Sequence, residues 1–154
     1  MVDDKQVIIG SDKTGVLTMM YGTGVKGSPE TQESTTDTFS GAVVQGKKKV
    51  AWTLEISKLR YEGMEQHQEL SERLESMMEV ADDITVIETV YPKGDHPYQV
   101  LDHYYGCLVN GNDYEIKPAE NTAESLKFKA SSHKRKWNPL PMGYTSDIEE
   151  ETQG

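Results

Sequence analysis

The segment His103-Tyr-Tyr-Gly-Cys107 brings the chain's one cysteine close in sequence to one of its four histidines. A thiolate nucleophile needs an adjacent base within hydrogen-bond reach. On a strand, positions four apart stand about 13 Å from each other, too far for such a pair. Alternation puts Tyr98, Val100, Asp102, Tyr104, Gly106 and Leu108 on one face and Gln99, Leu101, His103, Tyr105, Cys107 and Val109 on the other. Cys107 then sits beside Val109 on an apolar face, where a free cysteine behaves as a small hydrophobe.

The remaining chemistry-bearing residues also resolve into structural readings. His67, His96, His103 and His133 lack the i, i+4 helical pairing of a metal site, and His67 is expected at the edge of a core. "GAVVQGKK", residues 41–48, imitates a phosphate-binding loop. Lys48 occupies the place where Ser or Thr holds magnesium, and a strand follows where a helix is needed. The glutamates of 62–79 share a solvated face with nothing to raise a pKa. "HKRK" before Trp137 has the composition of a single-strand binder, yet the chain is acidic overall. No catalytic, metal or cofactor residue is assigned, and the chain is not expected to be an enzyme.

The elements that carry these residues follow from periodicity. "KQVIIG" and "TGVLTMMY" read as strands joined by a turn at Ser11-Asp12-Lys13, and residues 22–41, rich in Gly, Ser and Thr, as a long loop. From Val50 to Ile56, Val50, Trp52, Leu54 and Ile56 share a face. Met64, His67, Leu70, Leu74, Met77, Met78 and Ala81 recur at helical spacing, predicting an amphipathic helix over about 63–82 packed on a sheet. "ITVIETVY" is a strand, and "YQVLDHYYGCLV" a second. Asn110-Gly111 predicts a tight hairpin from which "DYEIK" returns. Leu126, Phe128 and Ala130 share one face of a last strand, giving a single domain over 1–136. Residues 137–154, with two prolines and an acidic end, read as an extended or disordered arm.

The bulk numbers frame these elements. The chain has 154 residues, 35% of them hydrophobic, and a net charge of −10. Mean hydropathy is −0.67, low for a compact monomer and better suited to burial completed by neighbouring subunits. One cysteine excludes an internal disulfide. No apolar run reaches membrane-spanning length, and "MVDDKQVIIG" lacks the form of a signal peptide, so a soluble protein made in a cytoplasm is expected. Residues 62–83 hold eight acids and one base, Arg73. Basic residues gather at 47–49, at Lys58 and Arg60, at Lys127 and Lys129, and at 133–136. Such blocks suit contact with another copy of the chain.

Two passages, "RYEGMEQHQELSERLESMMEVADDITVI" and "YYGCLVNGNDYEIKPAENTAESLKFKAS", together with the order of elements over about residues 5–132, resemble the tail tube proteins of tailed bacteriophages. The tube proteins of type VI secretion and contractile injection machines share the plan. The resemblance implies an α+β, mainly antiparallel β fold, a β-sandwich or barrel-like domain with one helix packed on it. It implies hexameric rings stacked into a virion tail tube, assembled in the host cytoplasm. DNA and a tape-measure protein would occupy the lumen without specific binding, and sheath, baseplate or tail-tip and terminator proteins would be partners. In that setting the loop residues Thr23, Val25, Thr31, Thr35, Thr36 and Phe39 are expected to reach a neighbouring subunit or ring. Glu55, Glu88 and Asp102 are expected as lumen carboxylates. A small β-rich binding module using the 22–41 loop is the alternative, and an enzyme using His103 or Cys107 the last.

Overall fold

The computed structural model describes residues 5–30, 51–111 and 114–141. They form eight strands and one helix: β1 (Lys5–Ile9), β2 (Leu17–Pro29), β3 (Trp52–Arg60), α1 (Gly63–Ser76), β4 (Asp82–Val90), β5 (Tyr98–Val109), β6 (Glu115–Lys117), β7 (Thr122–Ala130) and β8 (Ser132–Pro139). The fold is mainly antiparallel β with a single helix. The sheet order is β6-β7-β3-β2-β1-β4-β5-β8. Leu108 and Val109 also pair with Lys129 and Phe128. The path of pairings β7–β3–β2–β1–β4–β5 therefore returns to β7.

One register runs along β5 from Tyr98↔Pro139 to Val109↔Phe128. β7 and β8 thus act as one long strand bent at Ser131, whose N–H and Oγ both donate to the Tyr105 carbonyl at 2.8 and 2.9 Å.

Alternation fills the interior. Val7, Ile9, Leu54, Ile56, Ile84, Val86, Leu126 and Phe128 are all buried, each contributing about 1.5–3 kcal/mol of transfer free energy if it is fully exposed on unfolding. The alternation breaks twice. On β3 the buried set passes from Leu54 and Ile56 to Leu59 and Tyr61. The change falls at Ser57, flanked across the sheet by Gly24 (φ 66) and Ser125 (φ 61), both left-handed. On β5 it passes from Val100, Asp102 and Tyr104 to Cys107, across Gly106 (φ 65). On β5 the pairing with β4 slips by one residue here, a bulge that flips the faces beyond it; on β3 the registers with β2 and β7 run through Ser57 unbroken, with the irregular residues opposite one another. Unbroken alternation had put His103 and Cys107 on one face; the bulge separates them.

α1 buries Leu70 and Leu74, and Met77 follows into the core. The helix ends at Ser76 rather than near 82. The Met77 carbonyl accepts the Val109 N–H at 3.0 Å, and residues 82–90 are strand. Met64, Met78 and Ala81, placed on the apolar stripe by spacing, are exposed. Arg73 turns inward. Its Nη1 donates to the Ile9 carbonyl and to Asp82 Oδ2, both at 3.3 Å, and its Nη2 donates to the Thr14 carbonyl at 3.1 Å. One guanidinium thereby ties α1, the β1–β2 turn and the start of β4 together.

Three boundaries differ from the sequence reading. Residues 22–29, expected as loop, continue β2 and pair with β3 from Gly22↔Leu59 to Pro29↔Trp52. The glycines that suggest a loop are there partly for space: a Cβ on Gly27 would lie 2.0 Å from the Tyr104 hydroxyl. β6 does not return along β5 from the Asn110-Gly111 turn; it pairs with β7, because the end of β5 is already taken by Lys129 and Phe128. β8 runs to Pro139, across the 136/137 boundary expected between domain and arm.

Candidate functional site

The densest group of polar and aromatic side chains lies where β5 meets β8. Asp102 stands opposite Arg135, Tyr104 opposite His133, and Val100 opposite Trp137. Residues directly opposite share a face, so alternation in β8 turns His133, Arg135 and Trp137 to the Asp102 side and Lys134 and Lys136 to the other.

Asp102 is 6% exposed. Its Oδ1 accepts His133 Nε2 at 2.8 Å and Arg135 Nε at 2.7 Å, and its Oδ2 accepts Arg135 Nη2 at 3.4 Å. Burial pushes the carboxyl pKa up. The hydrogen bonds and charges of Arg135 and His133 outweigh burial and hold it below the usual carboxylate range. The same hydrogen bond to Asp102 raises Arg135. The His133 ring packs between Trp52 of β3 and Tyr104, with centroids 4.2 and 4.7 Å away. Burial, then the Asp102 charge, pushes the Tyr104 phenol up to about 12. Toward the open rim, the Arg135 guanidinium lies 5.7 Å from the Trp137 ring centre. Tyr98 meets Trp137 edge-on, and His96 stacks on Tyr98. Trp137 is 54% exposed.

Chemically the cluster is a fastener. Its carboxylate accepts from two side chains of β8, and its phenol is held protonated by burial and the Asp102 charge. It fixes β8 to β5 and to Trp52. Among the described residues nothing pairs with the outer edge of β8 or with that of β6.

Cys107 is fully buried, and its thiol donates to the Tyr104 carbonyl at 3.4 Å. Burial, then the charge of Asp83, pushes it up to about 12. His103 bonds Thr85 instead, at 3.2 Å. His67 bonds the Tyr61 hydroxyl at 2.9 Å, the core-edge place that its spacing suggests. Among the described residues no group of His, Cys, Asp and Glu is arranged to hold a metal ion.

The residues singled out for assembly are spread out. Thr23 and Val25 lie in β2, Val25 packed against the core. Thr31, Thr35, Thr36 and Phe39 lie outside the described residues. Glu55 is exposed on the outward face of β3, between Lys26 and Lys127 on neighbouring strands. Glu88 is half-buried and bonds Lys5 at 3.3 Å. Glu88 and Asp102 follow the inward alternation of β4 and β5, so Glu55 does not share their face. Sequence reasoning weighed Asp102 and "HKRK" separately and missed their union. The available signal was the alternation His133-x-Arg135-x-Trp137, which sorts that basic run into two faces.

Compared with known proteins, the chain matches no protein-family model, no curated protein and no solved structure.

Proposed function

We propose that this chain is a structural virion protein, the repeating subunit of a phage tail tube, which self-assembles into stacked hexameric rings that conduct DNA. The observation that carries the reading is the pair of sheet ends. β6 and β8 terminate the strand order, and among the described residues their outer edges are unpaired. An open edge is a template for another chain, and natural sheets cover or close such edges. Joining the edges of successive copies closes a larger sheet around a channel. The sequence resemblance supplies the tube, and the low hydropathy of the chain fits burial completed between subunits. DNA and a tape-measure protein would pass through without specific binding. Sheath, tail-tip and terminator proteins would contact the tube's outside and ends. A tube of a contractile injection machine is built the same way.

A β-rich binding module is the second reading, favoured by exposed Trp137 with Arg135 over its ring, a surface suited to stacking. Negative-stain electron microscopy at rising protein concentration separates the two. Hollow tubes or rings with six-fold end views are expected. A monodisperse monomer at the highest concentration rejects the tube and leaves the binding module.

A further inference from the structure

We infer that the Lys134–Lys136 face of β8 docks the acidic side of α1 from a second copy of this chain. The inference rests on the self-assembly proposed above and names two surfaces that meet in it. The contact uses side chains that stand out from the sheet, not the strand edge invoked for ring closure.

The β8 half comes first. Lys134 lies opposite His103 and Lys136 opposite Leu101, away from the Asp102 cluster. Both lysines are exposed. Two positions apart on a strand, they stand about 7 Å from each other. Asp102 is the one carboxylate on β5 or β8, and it faces the other way. The two ammonium groups therefore have no anion on their own face of these strands, and neither forms an ion pair among the described residues.

The α1 half is its complement. Glu65, Glu69 and Glu72 are exposed on one side of the helix, at spacings that put neighbouring side chains about 5–6 Å apart. Like charges three and four apart weaken a helix. The helix's one base, Arg73, is spent on Asp82. Among the described residues no cation answers these glutamates. Both surfaces are thus left unneutralised within the chain, with matching reach and opposite sign.

Position decides the kind of contact. α1 touches the β4–β5 hairpin at its Asp82 and Val109 end, through Arg73 and Met77. β8 runs from Ser132, opposite Tyr105, toward the hairpin's other end, where Pro139 meets Tyr98 beside Val90. The acidic surface lies at the Asp82 end of the hairpin and the basic one along its middle, where Lys134 and Lys136 flank the Val86↔Asp102 pair, so the two are different patches. A contact between them is heterologous, head to tail, which propagates into closed rings or open stacks rather than stopping at a dimer.

Charge reversal on the full chain tests this, with the critical concentration for assembly read by light scattering. One variant carries Glu65→Lys, Glu69→Lys and Glu72→Lys; a second carries Lys134→Glu and Lys136→Glu; a third carries all five. The first two are expected to assemble about tenfold less readily, from a few exposed ion pairs turned to repulsion. The third restores head-to-tail complementarity and is expected to return to within about threefold of the unaltered chain. Assembly of the unaltered chain is expected to weaken as salt rises. Reversal variants that assemble like the unaltered chain overturn the contact while leaving the tube reading intact. A five-fold variant no better than the two partial ones overturns it as well, assigning the β8 face to another surface. An unaltered chain that never assembles overturns both.

Discussion

His133 Nε2 and Arg135 Nε converge on a single oxygen, Oδ1 of Asp102, at 2.8 and 2.7 Å. Two neighbours on one face of β8 are thereby bolted to one carboxylate of β5. Asp102 has its pKa lowered in the folded state despite burial, by Arg135 and His133. A lowered carboxylate contributes stability that is fully present above its unfolded value and is lost as pH falls through the folded one. Stability is therefore expected to drop on acidification below the ordinary carboxylate range, and Asp102→Asn to flatten that limb. At neutral pH the substitution should cost about 1–2 kcal/mol, since Arg135 is half exposed and its pairing is screened. Urea denaturation of both proteins from about pH 2 to pH 7 reads the difference.

Gly27 and Tyr104 form a coupled pair. A Cβ on Gly27 would meet the Tyr104 hydroxyl at 2.0 Å and its ring carbon Cζ at 2.8 Å. Gly27→Ala is expected to cost about 1–3 kcal/mol by overpacking. Tyr104→Phe removes the atom in closest conflict, so the double substitution should recover part of that loss. Strict additivity in a double-mutant cycle would mean that the two sites do not touch.

Gly106 carries the phase change in β5. Its φ of 65 and a Cβ position 2.5 Å from Ser131 Oγ both resist a side chain. Gly106→Ala is expected to cost about 1–2 kcal/mol for the left-handed backbone, with further loss from the clash. Adding Ser131→Ala should relieve only the clash, and thermal unfolding of the single and double variants separates the two contributions.

Removing the Arg73 guanidinium leaves the Asp82 carboxylate, 8% exposed, without its cation. Arg73→Met is expected to destabilise by about 3 kcal/mol or more, a larger loss than any exposed ion pair supplies. A change within about 0.5 kcal/mol in chemical denaturation would show that the clamp is not structural.

Cys107 is expected to resist thiol reagents at pH 8 in the native protein and to react once the chain is unfolded. Burial and the neighbouring Asp83 charge hold its thiol at about 12, and the thiolate is the reactive form. A colorimetric thiol titration with and without denaturant tests this.

Much of the fold was legible where local pattern and tertiary demand agree. Leu54 and Ile56 on β3, and Leu126, Phe128 and Ala130 on β7, are buried as their alternation implies. Legibility failed where a distant partner decided. Nothing in the local pattern says that Gly106 flips the face of Cys107, because the flip shows only when Asp82 pairs with Cys107 and Ile84 with Tyr104. Glycines 22, 24 and 27 read as loop until the Tyr104 ring is seen to need the space beside one of them. The union of Asp102 with His133 and Arg135 depends on a register between residues more than thirty apart. The two halves were visible in the sequence, but not the ladder that joins them.

The circuit of pairings also constrains how the chain reaches its native state. β1 joins β4 through Gln6↔Ile87 and Ile9↔Ile84, across most of the domain's length. β7 and β8, nearly the last strands made, supply partners to β3 and β5 at once. During synthesis both of those strands must wait with bare edges until residues 122–139 have emerged. Folding that depends on such non-local closure is slow, on the order of milliseconds to seconds. The nascent chain is therefore most exposed to mispairing with its neighbours just before β7 and β8 are made.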